Sequence, residues 1–489
     1  MLFNSLHFLV FFPVVVGLWF GLPPRWRLPL LLAASYYFYL SWRPIYGLLL
    51  AATTLLDYVS GRRMGALPDK KQRRPWLLLS LASNLGTLFV FKYFGFFWEN
   101  ARHLAEALQL PFTAPALALA LPVGVSFYTF QSVAYVLDVY AGRLPAERNL
   151  GRFALFVAFW PQLVAGPIER GAHMLPQFRR PAPGFDYGRV ASGLRLMAWG
   201  MFKKVVVADR LAGFVNPVFN HPQDHNALAL TLAVLGFTAQ IYADFSGYTD
   251  LARGAARVLG YDLSLNFRQP YFATSVGDFW RRWHMSLSSW FRDYLYIPLG
   301  GSRRGPVRTY FNLLTVFLVS GLWHGASWTF VVWGALHGLY VALETATAPA
   351  RAALAIRLGL AARPRLLRAL GTLATFVLVA FAWLFFRANN LADAWYISRH
   401  LLQGWGEVSW AEAGRTAGAF FGNYPPEAAV TIAALALVLA VDARLEWPRL
   451  AARWGRPPAP VRWAGYAALL LALALLGVFN NTQFIYFQF

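Results

Sequence analysis

Residues 366–386 read LLRALGTLATFVLVAFAWLFF, a run of twenty-one residues with one charge, at Arg368. As a helix rising 1.5 Å per residue it is about 32 Å long, enough to cross the ~30 Å hydrocarbon core of a bilayer. Arg351, Arg357, Arg363 and Arg365 precede it, and Asp393, Glu407, Glu412 and Glu427 outweigh Arg399 and Arg415 after it. Lys and Arg gather in cytoplasmic loops. The run is therefore predicted to leave the cytoplasm at its N-terminal end and emerge on the outer face.

The same signal recurs outward in both directions. Further candidate spans are 6–20, 28–42, 45–59, 76–98, 115–140, 153–168, 190–215, 227–244, 310–323, 328–343, 428–441 and 463–479. Segments 153–168 and 310–323 are short for a crossing and are predicted as broken or re-entrant pieces buried in protein. That leaves about 10–12 true spans. Met1 to Gly21 reads as an uncleaved first span. Two more basic connectors, Arg62 to Arg74 and Arg444 to Arg462, are expected on the cytoplasmic side, which puts both termini outside.

Composition agrees. Of 489 residues 58% are hydrophobic and only 13% charged, about half the charged share of a soluble domain. No polar linker longer than a loop divides the chain, so one transmembrane domain over residues 1–489 is expected. The net charge of +22 follows from basic cytoplasmic loops, and nucleic acid is not an expected partner. There are no cysteines, which excludes disulfides, thiolate catalysis and Cys-ligated metals. Motifs for P-loop ATPases, zincins and α/β-hydrolases are absent, and no metal is expected.

Three stretches carry chemistry. Asp278–Tyr294 reads DFWRRWHMSLSSWFRDY. On a continuous helix at about 100° per residue, Trp280, Trp283, His284, Leu287, Trp290 and Phe291 share one face. Arg281, Arg282, Ser286, Ser289 and Arg292 share the other. An interfacial anchor explains the Trp and Arg, but an imidazole on the aromatic face costs desolvation unless the protein uses it.

The second stretch, Ser320–Trp328, reads SGLWHGASW after an apolar run. Its glycines allow a bend or a close approach to a ligand. An ionisable residue as deep as His324 is a functional candidate, the alternative being a hydrogen bond between helices. His337 is expected to be structural. In the third stretch, Gln240–Asp250, Asp244 and Asp250 close an apolar span. Ion pairing is the preferred reading for them, over orienting a histidine or binding a cation.

Together QLVAGPIERG (162–171), QIYADFSGYTDLARG (240–254), DFWRRWHMSLSSWFRDYLYIPLGGSR (278–303) and SGLWHGASWTFVVWGALHGLY (320–340) resemble the membrane-bound O-acyltransferase (MBOAT) family. The likeness is to its bacterial alginate O-acetyltransferase branch, whose C-terminal ending NNTQFIYFQF also resembles. The resemblance implies an all-α polytopic fold with re-entrant and interfacial helices around a central tunnel. It implies catalytic roles for His324 and His284, with Trp280, Trp283, Trp323 and Trp328 as tunnel-lining candidates. It further implies acetyl-CoA as donor substrate with no permanently bound cofactor, a bacterial inner-membrane location, and a periplasmic acetyltransferase partner. An exopolysaccharide, alginate foremost, would be the final acceptor. D-alanyl transfer to teichoic acid and a non-enzymatic polysaccharide or lipid transporter are the alternatives.

Overall fold

The computed structural model describes residues 1–112, 120–422, 424–447, 458–479 and 484–485. The start of the 115–140 span, Arg449, Arg453 and Arg456, and most of NNTQFIYFQF lie outside the described residues. Every regular element among the described residues is helical. Five described helices have the length and apolar character to cross a membrane: Lys70–Ala107, Ala227–Leu259, Pro364–Arg387, Pro425–Glu446 and Ala459–Leu476. The chain divides into two compact units, Met1–Met197 with Thr249–Ser264, and Ala198–Tyr248 with Leu265–Phe489.

In the first unit α1 (Leu6–Gly21), α2 (Pro24–Leu40), α3 (Ile45–Ala66) and α4 (Lys70–Leu88) come first. A π-helical turn at Phe89–Tyr93 joins α4 to α5 (Phe94–Ala107). They are followed by α6 (Val125–Tyr140), α7 (Leu150–Ala158), α8 (Trp160–Leu163) and α9 (Gly171–Arg179). Segment 153–168 is broken and wholly buried, as its length predicted. The break at Phe159 frees backbone groups that water cannot reach, and side chains take them up. Gln162 Nε2 donates to the Phe156 carbonyl at 2.9 Å, and Gln131 Nε2 donates to the same oxygen. The Trp160 N–H donates to Ser35 Oγ at 3.1 Å. The Trp160 ring then packs among Phe3, Phe8, Phe11, Phe12 and Phe38.

The motif QLVAGPIERG owes its acid to this unit. Glu169 is fully buried and accepts from the Ser264 N–H at 2.5 Å, from Ser264 Oγ at 3.0 Å and from His173 at 2.8 Å.

Two long helices run through the boundary between the units, α10 (Tyr187–Met201) and, after α11 (Asp209–Asn220), α12 (Ala227–Leu259). Within the first unit they meet backbone to backbone: a Cβ on Gly254 would lie 2.6 Å from the Gly193 carbonyl oxygen. In the second unit a Cβ on Gly247 would lie 2.7 Å from that of Gly200. Small residues at such crossings let membrane helices approach closely.

The second unit holds the two histidine motifs, and here the continuous helix expected over Asp278–Tyr294 is corrected. The chain forms α13 (Val276–Trp280), a turn through Arg281–His284, α14 (Met285–Phe291) and a π-helical turn at Arg292–Tyr296. Asn266 and Glu446, described below, hold the turn, a cause that a helical wheel over 278–294 does not contain. The division into buried and exposed faces survives the break except at Ser286, which is buried.

Next come α15 (Pro306–His324) and α16 (Trp328–Ala346). The first is longer than the 310–323 segment read from the sequence and unbroken, which corrects the broken piece expected there. Pro306 starts it at a position that needs no N–H, and its nineteen residues make about 28 Å. The remaining helices are α17 (Ala348–Arg357), α18 (Pro364–Arg387), α19 (Leu391–His400), α20 (Trp410–Phe421), α21 (Pro425–Glu446) and α22 (Ala459–Leu476).

Candidate active site

Gly321 of the second motif and Gly334 on α16 fix the two helices against each other. A Cβ on Gly321 would sit 2.2 Å from the Phe330 carbonyl oxygen, and one on Gly334 2.3 Å from that of Phe317. Their close approach is to the neighbouring helix, which replaces the ligand approach allowed by the sequence reading. His324 is the last residue of α15 and is 4% exposed. Its ring centroid lies 4.9 Å from that of Trp323, 5.0 Å from Trp333 and 5.3 Å from Phe386.

His284 caps the N-terminus of α14 from the left-handed region, φ 43° and ψ 54°, and is fully buried. The turn that presents it is tied at both ends. Arg282 meets Asp278 at 3.0 Å and Glu446 at 2.7 Å. The Met285 N–H donates to the Asn266 carbonyl at 2.9 Å, and Asn266 Oδ1 accepts from the Ser286 N–H at 3.2 Å and Ser286 Oγ at 2.9 Å.

That same Oδ1 lies 3.2 Å from His284 Nδ1. Because a backbone N–H can only donate, the Asn266 atom it meets is the oxygen, and Nδ1 must supply the proton of the histidine contact. In the neutral ring the lone pair then resides on Nε2. The ring is held edge-on by Phe245 at 4.7 Å.

The two imidazoles are brought together, with centroids 6.5 Å apart. Trp323 meets both rings, 6.1 Å from His284 and 4.9 Å from His324; Trp280 and Trp283 are buried too, whereas Trp328, at the start of α16, is 52% exposed. Trp283 stacks on Phe279 at 5.5 Å and meets Trp383 at 5.0 Å. His337 is buried beside this wall and accepts a 3.2 Å hydrogen bond from Trp280 Nε1, a structural placement as expected. Asp244 is paired, as expected: Lys204 Nζ lies 2.7 Å from it and 2.7 Å from Asp209, all three buried. The Ile485 N–H adds a 2.8 Å bond to Asp244. In the first unit, Asp250 lies 3.9 Å from Arg253.

A cavity of about 570 Å³ lies along α14 and α15, and neither histidine is among its lining residues. Its walls include Trp280, Met285 and Ser320, the last two being the residue after His284 and the one a turn before His324. Arg268, Arg281 and Arg292 also line it. Mostly apolar walls with a few convergent charges suit a small ligand with an anionic part. Sequence reasoning missed Asn266, which lies outside the quoted motifs. Its only signal is an amide in the otherwise apolar run Leu265–Phe267.

Comparison with known proteins gives the family of the chain. The family model for MBOAT, the membrane-bound O-acyltransferase family, matches residues 143–361, a stretch that includes both histidines. The probable alginate O-acetylase AlgI of Pseudomonas aeruginosa is 42% identical over 400 residues, 81% of this chain and 74% of that one. The peptidoglycan O-acetyltransferase of Helicobacter pylori is 35% identical over 425 residues, 81% and 78% of the two chains. The teichoic acid D-alanyltransferase of Bacillus subtilis is 26% identical over 227 residues, 44% and 57%. A chain whose described regular elements are all helical, with several apolar helices and this likeness to O-acetylases over four-fifths of its length, is a multi-pass membrane O-acyltransferase and belongs to the MBOAT family.

Proposed function

We propose that this protein takes acetyl from cytoplasmic acetyl-CoA and passes it through the bacterial inner membrane to a periplasmic acetyltransferase partner, for O-acetylation of an exopolysaccharide. Alginate is the first choice of polymer, since the relatives at 40–42% identity carry that name. Peptidoglycan is the second, after the Helicobacter pylori relative. The observation that carries the reading is the pair of buried imidazoles 6.5 Å apart; a cavity with three arginines in its walls reaches Met285, the residue after His284. Arg268, Arg281 and Arg292 supply charge suited to the phosphates of coenzyme A, and the apolar wall keeps water from the thioester.

In this reading His324 and His284 are the catalytic residues. An acceptor hydroxyl oxygen attacks the thioester carbonyl carbon while a neutral imidazole takes the hydroxyl proton. The C–S bond breaks and the same proton passes to the departing thiolate, giving an ester and coenzyme A. The Nε2 lone pair that Asn266 leaves on His284 suits this step. A tunnel joining the two faces of the membrane is part of the proposal.

The test is release of coenzyme A from labelled acetyl-CoA by the purified, reconstituted protein with periplasmic extract as acceptor source. The wild type is expected to release it, and His324→Ala, folded and inserted, to lose at least about 100-fold. Wild-type turnover in that variant removes His324 from the mechanism. Stable label on the protein without acceptor would replace the general base by an acyl-histidine. D-alanyl loading from a carrier protein, with no turnover of acetyl-CoA, would move the chain to the teichoic acid branch.

A further inference from the structure

Two hollows of the second unit meet at Tyr271, Phe272 and Phe376, which line both. The outer, about 840 Å³, has Arg365, Arg368, Glu446 and Trp447 among its walls. The inner, about 360 Å³, lies among Leu235, Phe420, Leu435, Val438 and Leu439. The walls grade from charged to apolar along two helices at once. On α18 they pass from Arg365 to Phe376, and on α21 from Glu446 back to Leu435. Eleven residues of helix carry each gradient about 16 Å inward.

Both helices are apolar enough to cross a membrane, so their charged ends belong at head-group depth and their middles at acyl-chain depth. Polar groups inside are already engaged. Tyr242 Oη donates to Asp442 Oδ2 at 2.7 Å, and Thr238 Oγ1 to the Val234 carbonyl at 2.8 Å.

At the mouth the charge is uneven. Glu446 is held by Arg282 at 2.7 Å. Arg365 and Arg368 are exposed in the first two turns of α18, whose first turn has no acidic residue, and neither has an acidic partner among the described residues. Two unmatched guanidinium groups above an apolar slot complement a phosphodiester joined to a hydrocarbon chain.

We propose that this slot binds one anionic glycerophospholipid, its phosphate on Arg365 and Arg368 and one acyl chain in the inner hollow. The site is separate from the histidine pair and does not rest on the acetyl donor. It does share a wall with it: Tyr271 lies 6.2 Å from Trp283, the residue before His284.

The experiment is native mass spectrometry of the full chain, delipidated in detergent and titrated with phosphatidylglycerol or phosphatidylcholine. The wild type should retain one phosphatidylglycerol with at least tenfold preference. Arg365→Gln with Arg368→Gln should abolish the preference, and Leu439→Trp, which narrows the inner hollow from a half-exposed position, should weaken binding of both lipids. Thermal melts check that each variant is folded. Equal binding of the two lipids by the wild type, an undiminished preference in the double variant, or unchanged binding in Leu439→Trp would each overturn the proposal.

Discussion

Asn266 Oδ1 lies 3.2 Å from Nδ1 of His284 while accepting the Ser286 N–H at the same distance, so one amide oxygen sets both the loop and the protonated nitrogen of the ring. Asn266→Ala should therefore lower kcat about 10- to 100-fold, a part of the 10²–10⁴ that a positioned base supplies, with KM for the donor little changed. Turnover by the reconstituted enzyme measures it. An unaltered kcat would show that ring orientation is set elsewhere.

The α15–α16 contact makes a packing prediction. Gly321→Ala and Gly334→Ala each drive a methyl group against a backbone carbonyl and should cost about 1–3 kcal/mol. Thermal unfolding in detergent should show both melting below wild type. Gly418→Ala on α20, where a Cβ meets nothing within 4 Å, should melt at or slightly above it.

Lys204 lies between two buried carboxylates. Lys204→Met removes the ammonium group that both Asp209 and Asp244 meet at 2.7 Å and should cost about 3–5 kcal/mol. Replacing both acids by Asn in the same chain should recover much of the lost melting temperature. No recovery would mean that the lysine acts through its packing.

His173 provides the pH dependence. It lies in the connector outside the spans, and its hydrogen bond to Glu169 raises its pKa above the free value, against the lowering effect of burial. A raised folded-state pKa stabilises fully below the unfolded value, about 6.5, and the gain fades as pH rises through the folded value. The melting temperature lost in His173→Gln should thus be larger at pH 5.5 than at pH 8.5.

How much of this could be read beforehand differs between fold and site. The run at 366–386 identified a spanning helix because length and hydropathy are local properties, and α18 matches it within two residues at the start and one at the end. Segment 153–168 was legible as a broken piece for the same reason. The helix wheel over 278–294 sorted buried from exposed side chains correctly for most positions, yet missed the turn. That turn depends on Asn266 and Glu446, distant in sequence. The meeting of His284 with His324 was legible only through the family likeness, since periodicity says nothing about which two helix ends converge.

A consequence follows from the left-handed backbone at His284. A side chain there carries a conformational penalty of about 1–2 kcal/mol that glycine escapes. Replacing this histidine by alanine deletes the ring but keeps the penalty, while glycine deletes both. The glycine variant should be the more stable of the two, reversing the usual ranking. Alanine therefore reads the ring against an unchanged backbone, whereas glycine alone would understate the imidazole by the penalty it relieves.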